Sequence, residues 1–205
     1  ETNNLKLSLS SYRKSLKLNS YDPNIYYQIG MIYEKLLNIE EAIKNYNQAI
    51  NMDDNNNDLI FRLGMILYQD GQYKKSLEYL RRHLLYQPKD VEVIKILANI
   101  LYSLKRLPES IDNYKRLIEL DQNNMKYYNK IASAYWELGN YNKAQFYYNT
   151  ILEYEEYQTG QTYYYLGFIA NQNKKYDLAQ DYFFYARECG YNSLNLYKQL
   201  SISLL

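Results

Sequence analysis

Residues 125–158, MKYYNKIASAYWELGNYNKAQFYYNTILEYEEYQ, read as two amphipathic helices joined by a glycine turn, a pattern that recurs along the chain. The first helix sets Tyr128, Ile131, Ala132 and Tyr135 at i, i+3, i+4 and i+7, one apolar stripe on a helix of about 3.6 residues per turn. Ala132 falls where the two helices of a hairpin cross most closely, and a larger side chain there would push the axes apart. Gly139 and Asn140 supply the positive-φ reversal, and Tyr141 re-enters the interface just after it. The second helix turns Ala144, Tyr148 and Ile151 inward, Ala144 being the small partner of Ala132.

The same marks recur on either side. Gly30, Gly64, Ala98 and Ala132 are spaced by 34 residues and Gly167 follows at 35, which implies one inserted residue near positions 157–160. A second row of small residues, Ser8, Ala42, Ser76, Ser110, Ala144 and Ala179, keeps the same intervals. One hairpin of this kind cannot bury its own apolar face and must stack on copies of itself. The predicted units are 23–56, 57–90, 91–124, 125–158 and 159–193. Residues 1–22 hold only a second helix, and 194–205 form a terminal helix or open a further unit. Pro23 and Pro108 fall in first helical turns, where the missing N–H costs nothing.

The chain has 205 residues, 47% of them hydrophobic, with a formal net charge of +1, which argues against an electrostatic nucleic-acid binder. No apolar run approaches the ~18 residues of a membrane span, so no membrane insertion is expected. Tyrosine is abundant, with 28 residues, while valine occurs only at Val91 and Val93. The single cysteine, Cys189, excludes an internal disulfide framework and is expected to be a buried, inert thiol. Because the sequence opens at Glu1, it is read as a segment of a longer protein.

The aromatic-x-x-Leu-Gly-x-x-Tyr pattern, followed by Ala, Tyr or Phe, Ala and Pro, resembles the tetratricopeptide-repeat (TPR) family over nearly the whole chain. Departures are the bulky His83, Leu117 and Ile151 late in second helices, and a closing proline present only as Pro88. The resemblance implies an all-α fold, a right-handed α-solenoid superhelix of helical hairpins whose first helices line a concave groove for peptides or helices of partner proteins. The groove candidates are Tyr27, Met31, Phe61, Arg62, Met65, Tyr68, Lys95, Asn99, Tyr102, Lys130, Trp136, Tyr164, Tyr165 and Phe168, with Ile96, Lys126 and Asn171 at equivalent places. Exposed aromatic and methionine side chains are enriched at binding hot spots. Alternatively, Tyr27, Tyr68 and Tyr102 pack on neighbouring helices and merely narrow the groove, and Trp136 is either a groove contact or a wedge between hairpins.

Some TPR co-chaperones grip terminal carboxylates with Lys and Asn. Lys95 and Asn99 match the first element, but Lys130, Gln161 and Tyr165 stand where the remaining clamp residues belong, so no such clamp is expected. His83 reads as a packing histidine, and no Gly-rich phosphate loop or Cys/His cluster occurs. The expectation is therefore a scaffold without catalytic residues, cofactor or metal, in the cytoplasm, binding a protein or peptide within a multi-subunit assembly. Alternatives are the substrate-recruiting region of a larger enzyme, or self-association through apolar residues at the chain ends, Leu204 and Leu205 among them.

Overall fold

A computed structural model describes residues 2–19 and 21–204. Among them run twelve α-helices: α1 (Thr2–Leu18), α2 (Pro23–Lys35), α3 (Ile39–Met52), α4 (Asn57–Gln69), α5 (Tyr73–Tyr86), α6 (Val91–Ser103), α7 (Leu107–Leu120), α8 (Met125–Glu137), α9 (Tyr141–Leu152), α10 (Gly160–Gln172), α11 (Tyr176–Glu188) and α12 (Leu194–Ser203). The fold is an all-α solenoid of helical hairpins, as the 34-residue spacing predicts.

Helix starts follow from local chemistry. Asp22 accepts from the Asn24 N–H at 2.9 Å with Pro23 as the first helical residue, and Asn56 and Ser193 cap α4 and α12 in the same manner at 3.1 Å. In the link between α9 and α10 a short 3-10 turn, Glu155–Tyr157, precedes the Thr159 cap of α10.

The chain forms two compact units, Glu1–Val93 and Ile94–Leu205. In the first, α2 pairs with α3 and α4 with α5, while α1 packs on α2 and α3 on α4. Its core gathers Ile29, Tyr46, Ala49, Leu59, Ile60, Leu63 and Leu67, with Leu9, Tyr12 and Leu16 of α1 laid against it. In the second, α8 pairs with α9 and α10 with α11, and α12 closes on both α10 and α11.

The small residues do what the spacing requires. A Cβ added to Gly64 would stand 2.7 Å from Leu80 Cδ2, and one on Gly167 would stand 2.5 Å from the Phe183 ring. The second row then closes the crossing with hydrogen bonds: the Ser76 hydroxyl donates to Gly64 O at 2.8 Å, and the Ser110 hydroxyl to Ala98 O at 2.9 Å. Serine at these places is therefore a buried donor whose acceptor is the carbonyl of the facing small residue.

The turn position also recurs, with a less uniform solution. Gly71 and Gly139 adopt φ of 76° and 70°, while Leu37, Lys105 and Lys174 hold the equivalent left-handed conformation at 58°, 59° and 60°. An L side chain in that region is strained by about 1–2 kcal/mol. Lys174→Gly is expected to raise stability by about 1 kcal/mol in urea denaturation. Gly64→Val, by contrast, should cost about 1–3 kcal/mol, because the valine must displace Leu80.

Candidate protein-binding face

The first helices of each hairpin carry the candidate side chains, and each unit has its own chemistry. In the first unit, Tyr27 of α2 donates its phenol to Asp58 of α4, and the Arg62 guanidinium lies 5.9 Å over the Tyr27 ring while pairing with Asp58 at 3.2 Å and Glu34 at 4.0 Å. From beneath, the Tyr46 hydroxyl donates to Glu34 Oε2 at 2.6 Å. Tyr27 thus ties neighbouring hairpins together and remains half-buried. Tyr68 leans on Tyr73 at 5.9 Å, and Phe61, Met31 and Met65 are half-buried beside this network.

Phe61 rests on the ring of His83, 4.9 Å away. His83 is buried, its Nδ1 3.0 Å from Asn57 Oδ1 and its Nε2 3.1 Å from Asp90 Oδ2. Asp90 Oδ1 in turn accepts from the Val93 N–H at 3.1 Å, so the histidine ties the start of α4 to the cap of α6. Both ring nitrogens are engaged in holding the scaffold, in line with the packing role expected for it.

In the second unit, Tyr102 of α6 donates to Glu137 of α8, which also pairs with Lys105; these two bonds hold the Glu137 carboxyl below the usual carboxylate range. The ammonium groups of Lys105 and Lys130 each lie 5.7 Å from the Tyr102 ring centroid. Asn99 Oδ1 accepts from the Tyr114 phenol at 2.6 Å, and Lys95 is half-buried nearby on α6.

Trp136 sits among Tyr165 at 4.5 Å, Phe168 at 4.9 Å and Tyr141 at 5.1 Å, all four half-buried. It combines both alternatives: it wedges between the α8–α9 and α10–α11 hairpins and keeps an accessible edge. Tyr165 stacks at 5.2 Å on Tyr148, whose buried phenol has no hydrogen-bond partner among the described residues; the Ser133 hydroxyl beside it donates instead to Asn129 Oδ1 at 3.3 Å.

Three expected groove positions are corrected. Tyr164 is buried, packed 5.0 Å from Tyr191 and against Phe183 and Leu196, because α12 and the link before it cover that side of α10. Asn171 is buried for the same reason, its amide donating to Gln199 O at 2.7 Å. Ile96 is also buried. Cys189, expected inside, is exposed: α11 ends at Glu188, and the cysteine stands in the reversal before Gly190, outside the apolar stripe.

An apolar stripe does not reveal the phenols of Tyr46, Tyr114 and Tyr148, the large inward residues of α3, α7 and α9. Their hydroxyls lie beneath the candidate face, and tyrosine at one repeat position with a polar residue on the first helix was the available signal. Among the described residues, no helix is long and apolar enough to cross a membrane, and no group of three His, Cys, Asp or Glu could hold a metal ion.

Burial and then the bond to Asp58 push Tyr27 up to about 12, against the opposing charge of Arg62, and burial pushes Tyr114 up to about 12. These phenols bind their protons more tightly folded than unfolded, so their contribution is complete below the ordinary value of 10.0 and is lost as pH rises through about 12. Unfolding free energy should fall over that window. Tyr27→Phe should flatten the fall and remove one late-titrating phenol from the ultraviolet difference spectrum.

Comparison with known proteins agrees with this architecture. Family profiles described as "TPR repeat", "Tetratricopeptide repeat" and "Anaphase-promoting complex, cyclosome, subunit 3" match residues 98–139, 126–157 and 35–117. No curated protein matches the chain. Similar solved structures include the MamA protein, 23% identical over 81% of this chain and 90% of that one, with a TM-score of 0.62. YrrB, described as a TPR protein with an unusual peptide-binding site, is 14% identical over 94% of this chain and 95% of its own, with a TM-score of 0.62. A tetratricopeptide repeat protein from Parabacteroides merdae is 20% identical over 99% of this chain and 79% of its own, with a TM-score of 0.51. At these identities the solved structures speak for the fold, and the repeat profiles name it: the chain is a tetratricopeptide-repeat protein.

Proposed function

We propose that this TPR protein is a non-catalytic interaction scaffold that holds a helix or extended segment of a partner on the exposed edges of its first helices, within a multi-subunit assembly. The observation that carries the reading is the half-buried row of Phe61, Met65 and Tyr68 in the first unit and Trp136, Tyr165 and Phe168 in the second. Large side chains held rigid by their neighbours, yet partly open, are what binding hot spots are made of. Division of the array into units at 23–56, 57–90, 91–124, 125–158 and 159–193 belongs to the same proposal, as does a cytoplasmic setting.

A triple variant, Phe61→Ala, Trp136→Ala and Tyr165→Ala, tests it in affinity capture from the native cell once circular dichroism shows wild-type helicity. Partners held by the wild type should be lost. If all of them persist on a folded variant, another surface carries the interaction.

A second reading, self-association, rests on exposed leucines of the terminal helices: Leu7 and Leu18 of α1 are 68% and 91% exposed, and Leu194 and Leu204 at the two ends of α12 are 72% and 69% exposed. Leu205 lies outside the described residues. Static light scattering should then show mass rising with concentration, and a constant monomer mass would remove this reading.

A further inference from the structure

The face of the second unit has a polarity that names the chemistry of its occupant. On α8 the charged residues are Lys126, Lys130 and Glu137, α6 carries Glu92 and Lys95, and α10 has no charged residue at all. Glu137 is already taken by Lys105 and Tyr102, so its negative charge is spent within the protein. Lys126 and Lys130 stand one helical turn apart on α8, both exposed, and Lys130 is poised over the Tyr102 ring. The open edge of the Trp136, Tyr165 and Phe168 cluster follows further along the same helix and its neighbour. Exposed Lys126 and Lys130 therefore stand beside an aromatic surface whose own helices, α8 and α10, carry no carboxylate except the engaged Glu137.

Resting on the scaffold reading above, we propose that this face receives an acidic segment of a partner protein, its Asp or Glu carboxylate on Lys130 and Lys126 and a neighbouring leucine or aromatic side chain on the Trp136–Phe168 edge. A carboxylate gains a charge-assisted bond there without displacing an internal ion pair. An apolar neighbour covers aromatic edges that are costly to leave wet. A peptide suits the face better than a single-stranded nucleic acid. The rings of Trp136, Tyr165 and Phe168 are inclined to one another by 46° and 71° rather than forming a parallel slot for bases, and α10 supplies no cation to continue a phosphate track.

The test is a random twelve-residue peptide display library panned on the whole chain and, in parallel, on Lys130→Glu and on Trp136→Leu, both checked for wild-type helicity. Enriched peptides are then synthesised with a fluorescent label and titrated by anisotropy against the wild type and both variants, because Trp136 is the single tryptophan and its own emission is lost in Trp136→Leu. The expected result is enrichment of Asp or Glu beside Leu, Phe or Trp, with affinity falling at least tenfold on Lys130→Glu and on Trp136→Leu, and weakening steeply with salt. Neutral or basic peptides that still depend on Trp136 would overturn the acidic occupant while leaving the scaffold reading standing. Peptides indifferent to both substitutions, or no enrichment at all, would overturn this site. Binding of an oligouridine with equal dependence on Lys130 and Trp136 would overturn it in favour of nucleic acid.

Discussion

The close crossing of two helices inside each hairpin is the constraint on which the rest of the molecule depends. Gly64 and Gly167 leave no room for a Cβ because Leu80 and Phe183 fill that space, and Ser76 and Ser110 bond to the backbone carbonyls that the short side chains uncover. Once the helices approach this closely, dispersion contacts and hydrogen bonds act together, and the larger residues of each stripe are carried into the core. Tyr46, Tyr114, Tyr148 and Phe183 are the largest of these fully buried side chains.

That geometry also accounts for the character of the candidate faces. The crossing and the stacking use up one side of every first helix, so a long side chain on the next position around the helix meets the adjacent hairpin at its base and solvent at its tip. Tyr27 with Asp58, Tyr102 with Glu137, and Trp136 with Phe168 all have this form. Such residues have their rotamers held by neighbouring helices, the pre-organisation that lowers the entropy lost wherever a surface binds.

The two units use the same positions for different chemistry. In the first, Arg62 bridges the carboxylates of Glu34 and Asp58 around Tyr27 and Tyr46. In the second, the internal pair is Glu137 with Lys105, and Lys130 is left over the Tyr102 ring. A repeat scaffold can thus keep one backbone plan while each unit offers a different surface, because only the stripe and the crossing are fixed by stacking.

The periodic rows by themselves determined the helical hairpins, the turn positions and the inward faces. Apolar spacing and small residues act locally, within one hairpin and its neighbour, and a single hairpin's sequence contains both sides of that contact. Tertiary structure alone decided which outward residues stay accessible. Tyr164 and Asn171 occupy groove positions by register, yet α12 covers them, and Cys189 lies at an apolar place by register, yet the helix stops one residue before it. The phenols of Tyr46 and Tyr114 found acceptors in Glu34 and Asn99, while that of Tyr148 found none among the described residues. Accessibility and hydrogen-bond pairing depend on atoms brought from other helices, and a repeat pattern does not encode where those atoms fall.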